Sequence, residues 1–129
     1  MIYPFVKIGT YGGDIHIKKG TIIHSFSVLY GYKGIIIGER CGIATSTIIV
    51  GGNHKFDNIE KSIWEQGFDG KGIFIDDEVW IGSGSRILDG SKIEKGSIIG
   101  AGSIVTKFVP KNGIVYGEAA KVKYFRNKI

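Results

Sequence analysis

Aliphatic residues return at every sixth position through the second half of the chain: Ile75, Ile81, Ile87, Ile93, Ile99 and Val105. Four places after each comes Val79, Ser85, Ser91, Ser97, Ser103 or Val109, and this place is read as a small inward position with little room. A six-residue period fits neither the roughly 3.6-residue repeat of an amphipathic helix nor the alternation of a long strand. Self-similarity at a fixed period is the mark of a solenoid. The pattern therefore predicts a prism of short strands, with a corner at every hexad and three hexads to a coil. Gly82, Gly90, Gly96, Gly100 and Gly102 fall at those corners, where positive φ or close backbone approach is needed.

The same rhythm begins near Ile15, with Ile17, Ile23 and Leu29 in the aliphatic places and Thr21 and Ser27 in the small ones. It slips by two residues at Gly31-Tyr32-Lys33-Gly34 and resumes at Ile37, Ile43 and Ile49, with Cys41 and Thr47 in the small places. Stacking the coils predicts three columns: Ile17, Ile37, Ile75 and Ile93; Ile23, Ile43, Ile81 and Ile99; Leu29, Ile49, Ile87 and Val105. β-Branched side chains are stiff at χ1 and pack well on pleated surfaces. Each coil buries its interior only against its neighbours.

The repeat disappears between Val50 and Gly72. That stretch holds His54, several charges and the aromatics Phe56, Trp64 and Phe68. An excursion of this length is functional or disordered; its aromatics predict an ordered loop at one corner, able to pack against a neighbouring subunit. Residues 1–14 read as a lead-in segment or partial first coil. After Pro110 the chain is expected to run extended, turn at Gly117 and end in an arm that caps the solenoid, with Glu118 to Lys121 permitting a helical turn. The expected organisation is one domain over residues 1–129, with the loop insertion at about 50–72 and the arm at about 111–129.

Composition narrows the picture. Twenty-one glycines with two prolines, in a chain that is 43% hydrophobic, suit a glycine-cornered solenoid rather than disorder. No apolar run is long enough to span a membrane and no secretory leader is evident, so a cytoplasmic protein is expected. One cysteine makes no internal disulfide. The net charge of +5 comes from the C-terminal stretch: Lys107, Lys111, Lys121, Lys123, Arg126 and Lys128 face Glu118 alone. A solvated tail, a nucleic-acid patch and a clamp for a phosphate-bearing cofactor all fit that asymmetry, but no nucleic-acid recognition motif accompanies it.

Candidate chemistry is sparse. His16 and His24 lie within hexads and read as outward-facing coil residues. His54 stands where the repeat breaks, after Gly51-Gly52-Asn53. Histidine takes up a proton near neutral pH, which makes His54 a candidate general base; the plainer reading is a polar loop residue. Cys41 reads as packing, and no GxSxG elbow supplies a nucleophile. The histidines and cysteine lack metal-ligand spacing, and Asp76-Asp77-Glu78 read as solvated corner acids. There is no P-loop or dinucleotide fingerprint.

The segments VWIGSGSRI and IIGAGSIVTKFVP resemble the hexapeptide-repeat acyltransferases. The likeness is to the galactoside, maltose and xenobiotic acetyltransferase group and its relatives that acylate surface-polysaccharide sugars, and it runs from about Gly13 to Val122. It implies an all-β, single-stranded left-handed parallel β-helix assembled as a homotrimer with sites between subunits. It implies acetyl-CoA as acyl donor, no metal, and a carbohydrate hydroxyl as acceptor in a small molecule or polysaccharide precursor. An amino-sugar nitrogen, free or nucleotide-linked, is the alternative acceptor, and a non-catalytic scaffold is the rival of another class. Nucleic acid is not an implied partner. By the resemblance His54 is the general base, Ser83 and Ala101 hold the pantetheine arm, Thr106 and Lys107 contact the nucleotide end, and Lys121 and Lys123 approach its phosphates. Trp80 matches either a cofactor contact or a corner residue in a subunit contact. Ser25 stands where galactoside enzymes carry a substrate-binding asparagine, and Asn53 is a second acceptor candidate through its proximity to His54. Two departures stand out. The tail reads Gly117-Glu118-Ala119-Ala120 in place of G-N-P-A, which sets an acid beside the implied phosphate site. The N-terminal region is shorter than in galactoside enzymes, which weighs against galactosides as acceptors.

Overall fold

The structure, a computed structural model, describes residues 1–128; Ile129, the last residue of the expected arm, lies outside the described residues, as does the side chain of Lys128. The chain winds as a left-handed parallel β-helix with three sheets as its sides. The first sheet stacks Lys7–Gly9, Val28–Tyr30, Ile48–Val50, Arg86–Leu88 and Ile104–Val105. The second stacks Ile15–Ile17, Ile35–Ile37, Ile73–Ile75, Lys92–Ile93 and Phe108–Val109. The third stacks Ile22–Ile23, Gly42–Ile43, Trp80–Ile81, Ile98–Ile99 and Gly113–Tyr116, with Lys121–Phe125 added antiparallel at its edge.

All three expected columns are in register. Ile37 pairs with Ile17 and Ile75, and Ile75 with Ile93. Ile43 pairs with Ile23 and Ile81, and Ile81 with Ile99. Ile49 pairs with Leu29 and Ile87, and Ile87 with Val105. From Ile23 onward these residues form one buried core, with Ile17 packed partly exposed at its end. Val109 differs from expectation. It fills no small place but pairs with Ile93, and Val115 pairs with Ile99. The corner at Thr106–Lys107 is two residues short, so the last coil slides its valines into the aliphatic columns.

The small places are polar for a reason that periodicity does not show. Their hydroxyls bond to carbonyls at the turns. Ser91 Oγ donates to Leu88 O at 2.6 Å and Val105 O at 3.0 Å, and Ser97 Oγ to Glu94 O at 2.6 Å and Pro110 O at 2.8 Å. Thr21 Oγ1 donates to Gly38 O at 2.7 Å and accepts from Cys41 N at 3.0 Å. These bonds satisfy corner backbone that the ladders leave unpaired. The corner acids are likewise more than solvated: Asp77 Oδ1 accepts from Glu39 N at 2.7 Å, and Glu78 pairs with Arg40 at 2.9 Å.

The residue before each small place is left-handed. Glycine occupies it at Gly84, Gly90, Gly96 and Gly102, but Phe26, Arg40, Ser46 and Glu78 adopt it too. The tail corrects one expectation. Glu118 to Lys121 forms no helical turn; Lys121–Phe125 returns as a strand against Gly113–Tyr116, and the helical piece of the tail is a short 3-10 turn at Arg126–Lys128. Arg126 then fastens the arm, donating from Nη1 to Gly96 O at 2.8 Å and from its amide to Asn112 O at 2.9 Å.

Candidate active site

The corner between the first and second sheets is where coils depart from regularity. Stacked along it are the Gly31–Gly34 slip, the long loop, Asp89–Gly90 and Thr106–Lys107. The loop leaves after Val50 and returns at Ile73, and it is ordered, as its aromatics predicted. Asn53–His54 pairs antiparallel with Phe68–Asp69, which gives the loop a two-stranded neck. Beyond the neck Gln66 gathers the chain: its Nε2 donates to Asn58 O at 2.9 Å and Lys61 O at 3.1 Å, while its Oε1 accepts from Asn58 N at 3.1 Å. Phe56, Ile59 and Trp64 remain strongly exposed beyond the paired residues.

His54 sits in that neck, wedged between aromatic rings. Trp64 meets it edge-on at 4.7 Å and Phe68 lies tilted at 4.8 Å. Its Nδ1 is buried without a hydrogen-bond partner among the described residues. The ring lines two depressions, so Nε2, the nitrogen other than the buried and unpartnered Nδ1, is the one a ligand could meet. A depression of about 510 Å³ opens beside it, lined by Asn53, His54, Lys55, Phe56, Asp69 and Asp89 among others. A smaller one of about 190 Å³ is also lined by His54, together with Tyr30, Tyr32, Gly52, Asn53 and Phe68.

Asp89, which no motif in the sequence marks, closes the base of the loop. Its carboxylate accepts from Lys71 N at 3.0 Å and Gly72 N at 2.8 Å. Tyr30, Tyr32, Phe68 and Trp64 carry no motif either. The available signal is the two-residue slip at Gly31–Gly34, which places Tyr32 on the corner one coil away from the loop.

The other sequence-derived candidates fall into separate groups. Ser83 and Ala101 stand on successive coils at the corner between the third and first sheets, with Gly102 N donating to Ser83 O at 2.8 Å. Ser25 and Thr45 continue that column, through Ser46 N to Ser25 O at 3.2 Å and Gly84 N to Thr45 O at 3.0 Å. Ser25 is therefore one end of the column that holds Ser83, across the first sheet from His54; of the two acceptor candidates, Asn53 alone adjoins His54. Thr106, Lys107 and Lys121 come together with Ala119 and Ala120 around a depression of about 170 Å³. Lys123 does not join them, because its Nζ lies over the Tyr116 ring at 5.3 Å. Trp80 is a strand residue on the outer face of the third sheet, not a corner residue, and its side chain is more than half exposed.

Within one chain these groups stay apart. Ser83 and Asp89 lie beyond opposite ends of the Arg86–Leu88 strand, with about 13 Å of extended chain between the two corners. His54 and the Ser83–Ala101 column thus stand at different corners of the prism. Among the described residues no cluster of His, Cys, Asp or Glu could hold a metal ion, and no helix is long and apolar enough to cross a membrane.

Comparison with known proteins agrees with this frame. Residues 72–107 match the sequence model of the bacterial transferase hexapeptide family (six repeats). A hexapeptide-repeat-containing acetyltransferase of Vibrio cholerae is similar over 97% of this chain and 70% of its own, at 26% identity and a TM-score of 0.86. A maltose O-acetyltransferase of Clostridium difficile 630 is similar over 96% of this chain and 65% of its own, at 25% identity and a TM-score of 0.80. A galactoside acetyltransferase in complex with coenzyme A is similar over 97% of this chain and 66% of its own, at 26% identity and a TM-score of 0.78. The chain spans about two thirds of the length of these relatives.

Proposed function

We propose, from the premise that this hexapeptide-repeat chain shares its frame with those acetyltransferases, that it transfers an acetyl group from acetyl-CoA to a carbohydrate hydroxyl with His54 as general base. The observation that carries the reading is the His54 ring: it packs against Trp64 and Phe68 and lines the depression of about 510 Å³, with Nδ1 buried and without a partner among the described residues. Nε2 takes the acceptor hydroxyl proton as the oxygen attacks the thioester carbonyl. The tetrahedral intermediate collapses, the C–S bond breaks, and the departing thiolate takes the proton from the imidazolium. The products are the acetyl ester and free coenzyme A. An amino-sugar nitrogen would react by the same steps.

The donor fits an extended course. Ala101 and Thr106 lie beyond the two ends of the Ile104–Val105 strand, with about 10 Å of extended chain between the corners. A pantetheine arm along Ser83 and Ala101 would bring the nucleotide end to Thr106, Lys107 and Lys121. These lysines supply the cations for its phosphates, and the charge asymmetry of the chain supports that role. Because His54 stands at a different corner from Ser83 and Ala101 of its own chain, the complete site combines His54 of one subunit with the donor column of another, in a homotrimer.

The test is thiol release from acetyl-CoA with a panel of sugars and amino sugars, for the native protein and His54→Ala. Native turnover with a loss of about 100-fold or more in the variant is expected. If coenzyme A does not bind, the transferase reading falls; if the variant turns over at the native rate, His54 is not the base.

A further inference from the structure

The aromatic contacts do not end at His54. Phe68 lies 4.8 Å from His54 and 4.5 Å from Tyr32. Tyr32 stacks on Tyr11 at 5.2 Å, and Tyr11 meets Tyr30 edge-on at 5.1 Å. We propose that Tyr11, Tyr30, Tyr32 and Phe68 form an acceptor platform for a saccharide chain of more than one ring, leading away from His54. This rests on the reading of His54 as the acetyl-transfer base.

The platform is built outside the core. None of its rings belongs to the buried column residues, and Tyr11 is 48% and Phe68 38% exposed. Two glycines make room for it. A Cβ at Gly9 would collide with the Tyr11 ring, and one at Gly52 would lie 2.6 Å from Tyr32 Cβ. The two tyrosines are thus laid against backbone that has no side chain to hold them off. None of the three tyrosine hydroxyls bonds to another described residue, so each is left for solvent or ligand. The depression of about 190 Å³ between Tyr30, Tyr32, Phe68 and His54 is the ring-sized start of the run.

A sugar has the matching chemistry. It offers an apolar C–H face to the exposed sides of Tyr11 and Phe68, and a rim of hydroxyls to the phenol and amide groups between them. The charges flanking the platform are mixed: Lys7, Lys33 and Lys55 against Asp14, Asp57 and Asp69. Lys7 Nζ is already over the Tyr30 ring at 5.8 Å. A stacked nucleic-acid strand would call for a one-signed basic track, and this is not one. The path from ring to ring, His54 to Phe68 to Tyr32 to Tyr11, is three centroid spacings, at most about 15 Å, so it admits no more than two or three sugar rings.

The experiment compares kcat/KM for acceptors of one, two and three rings of the same sugar, in native protein, Tyr11→Ala and Tyr11→Phe. It also measures binding of the unacetylated oligosaccharides without acetyl-CoA, by protein fluorescence. A rise of about tenfold from one ring to three is expected in the native protein, largely lost in Tyr11→Ala and kept in Tyr11→Phe. Equal kcat/KM at all lengths, or an undiminished rise in Tyr11→Ala, overturns the platform. Oligosaccharide binding without any transfer would leave the platform standing and sink the transferase reading. Transfer to a single ring with no gain from length would do the reverse.

Discussion

The corner glycines show how one residue type serves two physical needs. Gly84 has a φ of 69° and nothing within 4 Å of the place a Cβ would take, so its need is conformational alone. Gly82 has no positive φ, but a Cβ there would sit 2.6 Å from Ala101 N. Gly84→Ala should therefore cost about 1–2 kcal/mol, while Gly82→Ala should cost more and lower the thermal midpoint further, because two coils must separate. Calorimetry on the two variants checks the order. Cys41 is likewise set by its packing. Its thiol donates to Asp76 O at 3.0 Å, and burial pushes its pKa up. Less thiolate forms at any given pH, so the native protein should resist an aromatic disulfide reagent at about pH 8 and react promptly once unfolded. Rapid native labelling would show that the thiol is not held in the core.

At the scale of the element, the loop is governed by its neck and its base rather than by its own propensities. The neck is only two residues a side, so Asp89 carries much of the positioning at the return to the coil. Asp89→Asn keeps the shape but removes the charge from the acceptor of two backbone N–H groups. A local loss of about 1–3 kcal/mol is expected, read as faster hydrogen exchange at the Lys71 and Gly72 amides with the Ile75 and Ile93 amides unchanged. Unchanged exchange at Lys71 and Gly72 would mean the loop is held elsewhere. The hexads are legible down to coil register as far as Val105, because a buried column tolerates only aliphatic residues at its period; the short corner at Thr106–Lys107, which moves Val109 into the aliphatic column, carries no local mark. The loop was legible only as an ordered break. Its ribbon depends on Asn53 and His54 meeting Asp69 and Phe68 across more than a dozen residues, and no local pattern encodes that pairing.

At the scale of the molecule, the separation of His54 from Ser83 and Ala101 makes a decisive prediction. His54→Ala and Ala101→Arg should each abolish transfer when homogeneous. Mixed, unfolded and refolded together, they should regain a measurable fraction of native activity, since some interfaces then pair an intact His54 with an intact Ala101. No recovery from a mixture shown to contain hybrid oligomers would place the site within one chain. The exposed Phe56, Ile59 and Trp64 of the loop are the residues such an interface would cover.

By itself the sequence determined the solenoid: its three columns, the slip at Gly31–Gly34, the break after Val50 and the singular position of His54. Each follows from a local period or its interruption, which is written along the chain. The tertiary structure decided what lies beside what. It linked Tyr11 and Tyr32 to His54 through Phe68, closed the loop on Asp89, gathered Lys121 but not Lys123 with Thr106 and Lys107, and put Ser25 across a sheet from Asn53. Those relations arise where coils and loop meet in space, and a repeat that fixes only the interior leaves its outer face free to carry them.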